Sequence, residues 1–198
     1  MCMLVALRKY DTAIAFVCGA LIVAFIAAAF TVPSFWDWLW QRHQNQLSWY
    51  IRPLFLIPLC WFAYKRSSAG IMATVLLLLT SMGWFPPPRQ VSPRVQQFLQ
   101  FEQQYLQGDW TLGKVLLTVM VPLSLAALAA ALWRRNLWLG LAVMALIAIA
   151  KSLWSVAFAG EAGASVIVPA ALGLLLCGGG LWCVAKLVRS RSGTRSSR

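Results

Sequence analysis

With one histidine, five acidic residues and 11% charged residues among 198, the chain lacks the raw material of most catalytic centres. His43 alone makes neither a zinc ligand set nor a bis-histidine haem site. There is no H-E-x-x-H, no G-x-S-x-G and no pair of aspartates inside an apolar run. A Schiff-base lysine of the retinal type would need an intramembrane carboxylate as counter-ion, and the apolar runs supply none. Cys2, Cys18, Cys60, Cys177 and Cys183 include no C-x-x-C pair, and all but Cys2 lie in apolar runs. They read as small buried hydrophobes, not as a disulfide framework. No metal and no cofactor is expected.

Polar surface is equally scarce. At 61% hydrophobic residues and a mean hydropathy of +0.72, the chain cannot clothe a soluble globule in water-facing groups, so lipid must be its solvent. A net charge of +12 and a pI near 10.3 do not point to nucleic acid, because the bases are scattered as pairs at the ends of apolar runs and form no single basic face. The one cluster is the tail, where Lys186, Arg189, Arg191, Arg195 and Arg198 stand among Ser and Gly. Residues 189–198 are expected to be disordered and drawn to anionic lipid headgroups, at about 1 kcal/mol per base near the surface.

Six apolar runs predict transmembrane helices at about 12–32, 47–64, 69–85, 112–133, 137–158 and 166–188, within one domain of residues 1–188. The first run could also be a secretory signal, but it exceeds the usual 7 to 15 residue apolar core, which favours retention. The second is interrupted by Arg52, Pro53 and Pro58, so its outer end should be kinked or unwound. Arg8/Lys9, Lys65/Arg66, Arg134/Arg135 and the tail alternate with gaps that hold Asp37, Glu102, Asp109 and Glu161. Basic short loops stay inside, so both termini are expected in the cytoplasm. The expected class is an all-α polytopic integral protein of a cell membrane.

One external segment between the third and fourth runs has substance. Ser92 suits a helix N-cap, Pro93 the first helical position and Gly108 a left-handed residue past the end. Residues 93–107 should form a helix with Val95, Phe98, Leu99, Tyr105 and Leu106 on one face and glutamines over much of the rest. It is too polar to span, so it should lie in the outer interface, covering helix ends or a ligand site. Trp36, Trp38, Trp40, Trp49, Trp84 and Trp110 gather toward the same outer side as interfacial anchors. A weak internal repeat also shows: Pro53-Leu54 over Pro122-Leu123 brings Tyr64-Lys65-Arg66-Ser67 over Trp133-Arg134-Arg135-Asn136.

Ionisable groups at membrane depth are costly unless paired, hydrated or able to snorkel, so Arg52, Lys114 and Lys151 are the functional leads. With Ser155 one turn from Lys151 and Glu161 beyond it, they could line an outward-facing pocket for an anionic ligand or lipid headgroup. The competing outcome is that the acids merely neutralise the bases. Ser48, Ser81 or Ser152 with Lys151 could in principle pair as nucleophile and base, though no spacing selects one. The leading expectation is an accessory or structural membrane component with a protein partner or a second copy of itself in the membrane. A small transporter or binding protein is the alternative, and a membrane enzyme comes third.

Overall fold

The computed structural model describes residues 10–163 and 167–195, and every regular element among them is helical. They are α1 (Asp11–Thr31), α2 (Pro33–His43), α3 (Leu47–Ile51), α4 (Leu56–Lys65), α5 (Ser68–Thr80), α6 (Pro93–Gln107), α7 (Leu112–Trp133), α8 (Leu137–Gly163) and α9 (Ile167–Arg195). Single 3-10 turns occupy Arg52–Phe55 and Ser81–Gly83. Three stretches are long and apolar enough to cross a membrane: Asp11–Thr31, Leu112–Trp133 and Leu137–Ala157. Large apolar side chains such as Phe16, Met120, Leu146 and Leu175 stay exposed along the helices, as lipid-facing surfaces require. The chain therefore has the makings of a membrane protein.

The other three expected crossings are not among these stretches. Residues 47–64 break into α3, a 3-10 turn and α4, because Pro53 and Pro58 withdraw two backbone donors where the helix would pass. The Pro53 carbonyl, which accepts the Leu56 amide within the turn, also accepts the Cys177 thiol of α9 at 3.2 Å. Gly173, one turn earlier on α9, lets that helix come so close that an added Cβ would overlap the Pro53 ring. Gly179 and Gly180, further along α9, meet nothing within 4 Å. Ser68–Gly83 is an apolar helix of only 10–17 residues. α9 runs from Ile167 to Arg195 and contains all but the first residue of the run expected at 166–188.

Two ends can be distinguished. At one, the dibasic turns lie side by side: Arg66 Nε donates to the Trp133 carbonyl at 3.1 Å, and the Arg135 guanidinium stands 5.7 Å from the Tyr64 ring centre. Arg66 and Arg135 both adopt φ of 58°. In each turn the next two amides bond back in one pattern, Arg66 to Ala63 and Ser67 to Phe62, Arg135 to Leu132 and Asn136 to Ala131. The side chains of Ser67 and Asn136 then cap the following helices. The aligned turns thus share their geometry, whereas Pro53 sits in a 3-10 turn and Pro122 inside regular α7. Asp11, the first residue of α1, accepts from Ser67 Oγ and from the Ser68 and Ala69 amides at 2.6, 2.8 and 3.3 Å. Its carboxylate meets the positive end of α5 and fixes α1 against it.

Leu59, Cys60, Ala63, Leu128, Leu132, Met144 and Cys177 form the core between α4, α7, α8 and α9. A second cluster, Trp40, Trp49, Val95, Phe98 and Leu99, welds α6 to α2 and α3 at the opposite end.

Candidate functional site

α6 matches its sequence outline at both bounds. The Ser92 hydroxyl accepts from the Val95 amide at 3.4 Å, and Pro93 is its first residue. Gly108 differs: it is extended, with φ −72° and ψ 177°, not left-handed. The chain leaves the helix straight, and the Gly108 carbonyl turns to accept Lys114 Nζ at 2.6 Å.

Val95, Phe98 and Leu99 are driven into the second core, and Glu102 projects from the same helical stripe. It meets Lys151 of α8, with Oε1 3.5 Å from Nζ. Its other oxygen, Oε2, faces His43 Nε2 at 3.9 Å. His43 is buried between Trp40 and Trp49, with ring centres 5.5 and 5.8 Å away, and the Trp49 indole N–H donates to its carbonyl at 3.0 Å. Arg52 Nη2 lies 3.1 Å from His43 Nδ1. Arg52 Nη1 also lies 3.4 Å from Nε2, so the guanidinium faces both ring nitrogens and donates to whichever one is unprotonated. Burial first, then the positive charges of Arg52 and Lys151, hold His43 well below the ordinary imidazole value of 6.5. The ring is neutral at pH 7 and the contact with Glu102 is not an ion pair.

Two cations, Arg52 and Lys151, therefore converge on one carboxylate. A third lies nearby. Lys114 is 7% exposed, and besides Gly108 its Nζ faces the rings of Trp110 and Tyr105 at 4.6 and 5.1 Å. Tyr105 packs edge-on against Trp154, which carries Lys151 Nζ 4.8 Å from its centre, so the two lysines bracket one aromatic pair. Among the described residues no carboxylate lies within ion-pair distance of Lys114. Two buried hydroxyls here, Tyr105 Oη and Ser155 Oγ, have no hydrogen-bond partner among the described residues.

Of the residues proposed from sequence, Arg52 and Lys151 come together through His43 and Glu102, and Lys114 joins through Tyr105 and Trp154. Ser155 is fully buried on the face that Lys151 starts. The side chain of Glu161 lies outside the described residues. Ser48 and Ser81 are buried and donate their hydroxyls to the carbonyls of Asn45 and Leu78. Trp38, Trp84 and Trp110 are exposed, Trp36 half-buried, and Trp40 and Trp49 form walls of the site. His43 is the functional residue that sequence reasoning set aside, because a lone histidine was weighed only as a metal ligand. Among the described residues no group of His, Cys, Asp or Glu could hold a metal.

No family model, curated protein or solved structure matches this chain. Function must be argued from the site itself.

Proposed function

We propose that this chain is a multi-pass protein of a cell membrane, with six crossings and both termini in the cytoplasm, that binds an anionic ligand or lipid headgroup at its outer, α6 end. The observation that carries the reading is the charge balance: Lys151 contacts Glu102, Arg52 reaches it only through His43, and among the described residues Lys114 has no carboxylate within ion-pair distance, while the buried Tyr105 and Ser155 hydroxyls beside them lack a hydrogen-bond partner. A buried cation without a counter-charge is costly, and a phosphate oxygen would relieve it with short charge-assisted bonds. Lys151, 47% exposed on its side chain, offers the approach, which fits a headgroup arriving from the leaflet better than a solute entering a closed cavity. In this reading Glu102 serves as an internal stand-in for the ligand and keeps α6 down when the site is free.

Mass spectrometry of the gently solubilised protein provides the test. Wild type should retain an anionic lipid, Lys151→Gln and Lys114→Gln should retain less, and Glu102→Gln should retain at least as much as wild type. Equal retention by all four proteins would sink the reading.

The second reading, an accessory or structural membrane component, is favoured by a separate observation. Trp38, Trp84 and Trp110 are exposed at this end, and such aromatics suit a protein partner as well as headgroups. It predicts a stable complex on mild extraction, and a lone protein carrying lipid would exclude it.

A further inference from the structure

The outward face of α6 is as unusual as its buried one. Gln96, Gln97, Gln100, Gln103, Gln104 and Gln107 cover it, where a solvated helix would ordinarily carry Lys and Glu. Two concavities adjoin it. One, of about 110 Å³, is lined by Trp40, Gln44, Gln96, Leu99, Gln100 and Gln103. The other, of about 370 Å³, runs from the same Gln44 past Gln46 and Tyr50 to Gln90 and Ser92. No charged residue lines either one, although Arg52, Glu102 and Lys151 lie just beneath α6. Among the described residues the side-chain amides of these lining glutamines make no hydrogen bond within the protein.

The walls are nevertheless fixed. Asn45 donates to the Pro86 carbonyl at 3.0 Å and accepts from the Leu47 amide at 3.0 Å, which ties the α2–α3 turn to the proline connector. Trp40 and Leu99 belong to the second core. The backbone frame is thus preorganised, and the ordering cost on binding falls on the glutamine side chains. Each primary amide offers two donors and an acceptor oxygen, and the exposed Tyr50 offers an apolar ring face. Charged ligands would find no counter-charge here, and an apolar ligand would strip water from the amides without replacing it. A molecule with neutral hydroxyls around its edge and C–H groups on its faces satisfies both surfaces.

We propose that the groove between α2, α6 and the 86–92 connector binds a neutral oligosaccharide, with Gln44, Gln96, Gln100 and Gln103 reading its hydroxyls and the exposed Tyr50 packing on a sugar ring. The larger concavity alone falls in the roughly 300–1,000 Å³ range of small-ligand sites. The site is separate from the cationic cluster, and either could exist without the other.

The full chain in phosphatidylcholine nanodiscs, free of sugar-headed detergent, is titrated by ligand-observed NMR with maltotetraose, cellotetraose and chitotetraose, with tetragalacturonate as the anionic control and an uncharged Ser/Gln decapeptide as the polypeptide control. At least one neutral tetrasaccharide should bind saturably. Gln44→Ala and Gln100→Ala should each weaken it about tenfold, the worth of one or two neutral hydrogen bonds. Gln97→Ala, exposed on the same helix but outside the lining, should bind as wild type does. Unchanged thermal unfolding of the three variants guards against a folding artefact. No neutral tetrasaccharide binding, equal binding by every variant, or preference for the peptide or for tetragalacturonate would each overturn the proposal.

Discussion

Glu102 follows Val95, Phe98 and Leu99 at spacings of seven, four and three, so helix geometry alone aims a carboxylate into the apolar contact of α6. Two cations wait there, and removing their shared anion leaves Arg52 and Lys151 facing each other across a neutral imidazole. Lys151 is half-exposed, which lowers the cost below that of a fully buried broken pair. Glu102→Gln should lose about 1–2 kcal/mol, read as a fall in Tm, and an anionic lipid added to the variant should restore part of it; a purely structural ion pair would show the fall without the rescue. His43 gives a second residue-level test. Its folded-state pKa lies below 6.5, so above pH 6.5 the ring is neutral in both folded and unfolded chains and costs nothing. Below 6.5 the unfolded chain takes up a proton that the folded chain refuses, and stability falls with pH. Acidification from pH 7 to 5 should therefore depress Tm more in wild type than in His43→Gln. An identical slope in the two would remove His43 as the cause.

At the level of elements, punctuation residues were legible and long-range partners were not. Ser92 and Pro93 announce the start of α6, and Pro53 and Pro58 announce the break before α4, because these residues act on the backbone beside them. Glu102 could have been placed by the same spacing rule that gathered Val95, Phe98 and Leu99, had the stripe been extended one turn. No local rule, however, says that Pro53 will hand its carbonyl to Cys177 or that Asp11 will cap a helix that starts at Ser68; those pairings exist only once the helices pack. Both contacts are testable. Gly173→Leu forces a side chain into the Pro53 ring and should cost about 2–3 kcal/mol, in the range of overpacked cores, whereas Gly179→Leu, facing open space, should leave Tm unchanged. Asp11→Ala removes a carboxylate from three donors and should cost about 1–2 kcal/mol, as lost caps do. A silent Asp11→Ala would show that apolar packing alone seats α1 on α5.

For the whole molecule, the charge pattern and the fold meet at the dibasic turns. Lys65/Arg66 and Arg134/Arg135 lie together at one end, while α6 and its glutamine face lie at the other, so the fold segregates the residues that orientation rules would segregate. What charge counting could not foresee is that three of the bases breaking the rule, Arg52, Lys114 and Lys151, are gathered beneath one amphipathic helix. Orientation itself can be read by labelling. In a chain with its native cysteines replaced, Gln100→Cys on α6 and Arg134→Cys at the dibasic turn should react with a membrane-impermeant maleimide from opposite faces of sealed vesicles. Cys18, Cys60 and Cys177 are buried, so their replacement by alanine or serine should be checked first by thermal unfolding. Labelling of both positions from one face would mean that the α6 end and the dibasic end share a compartment, and the outward-facing site under α6 would have to be abandoned along with the six crossings.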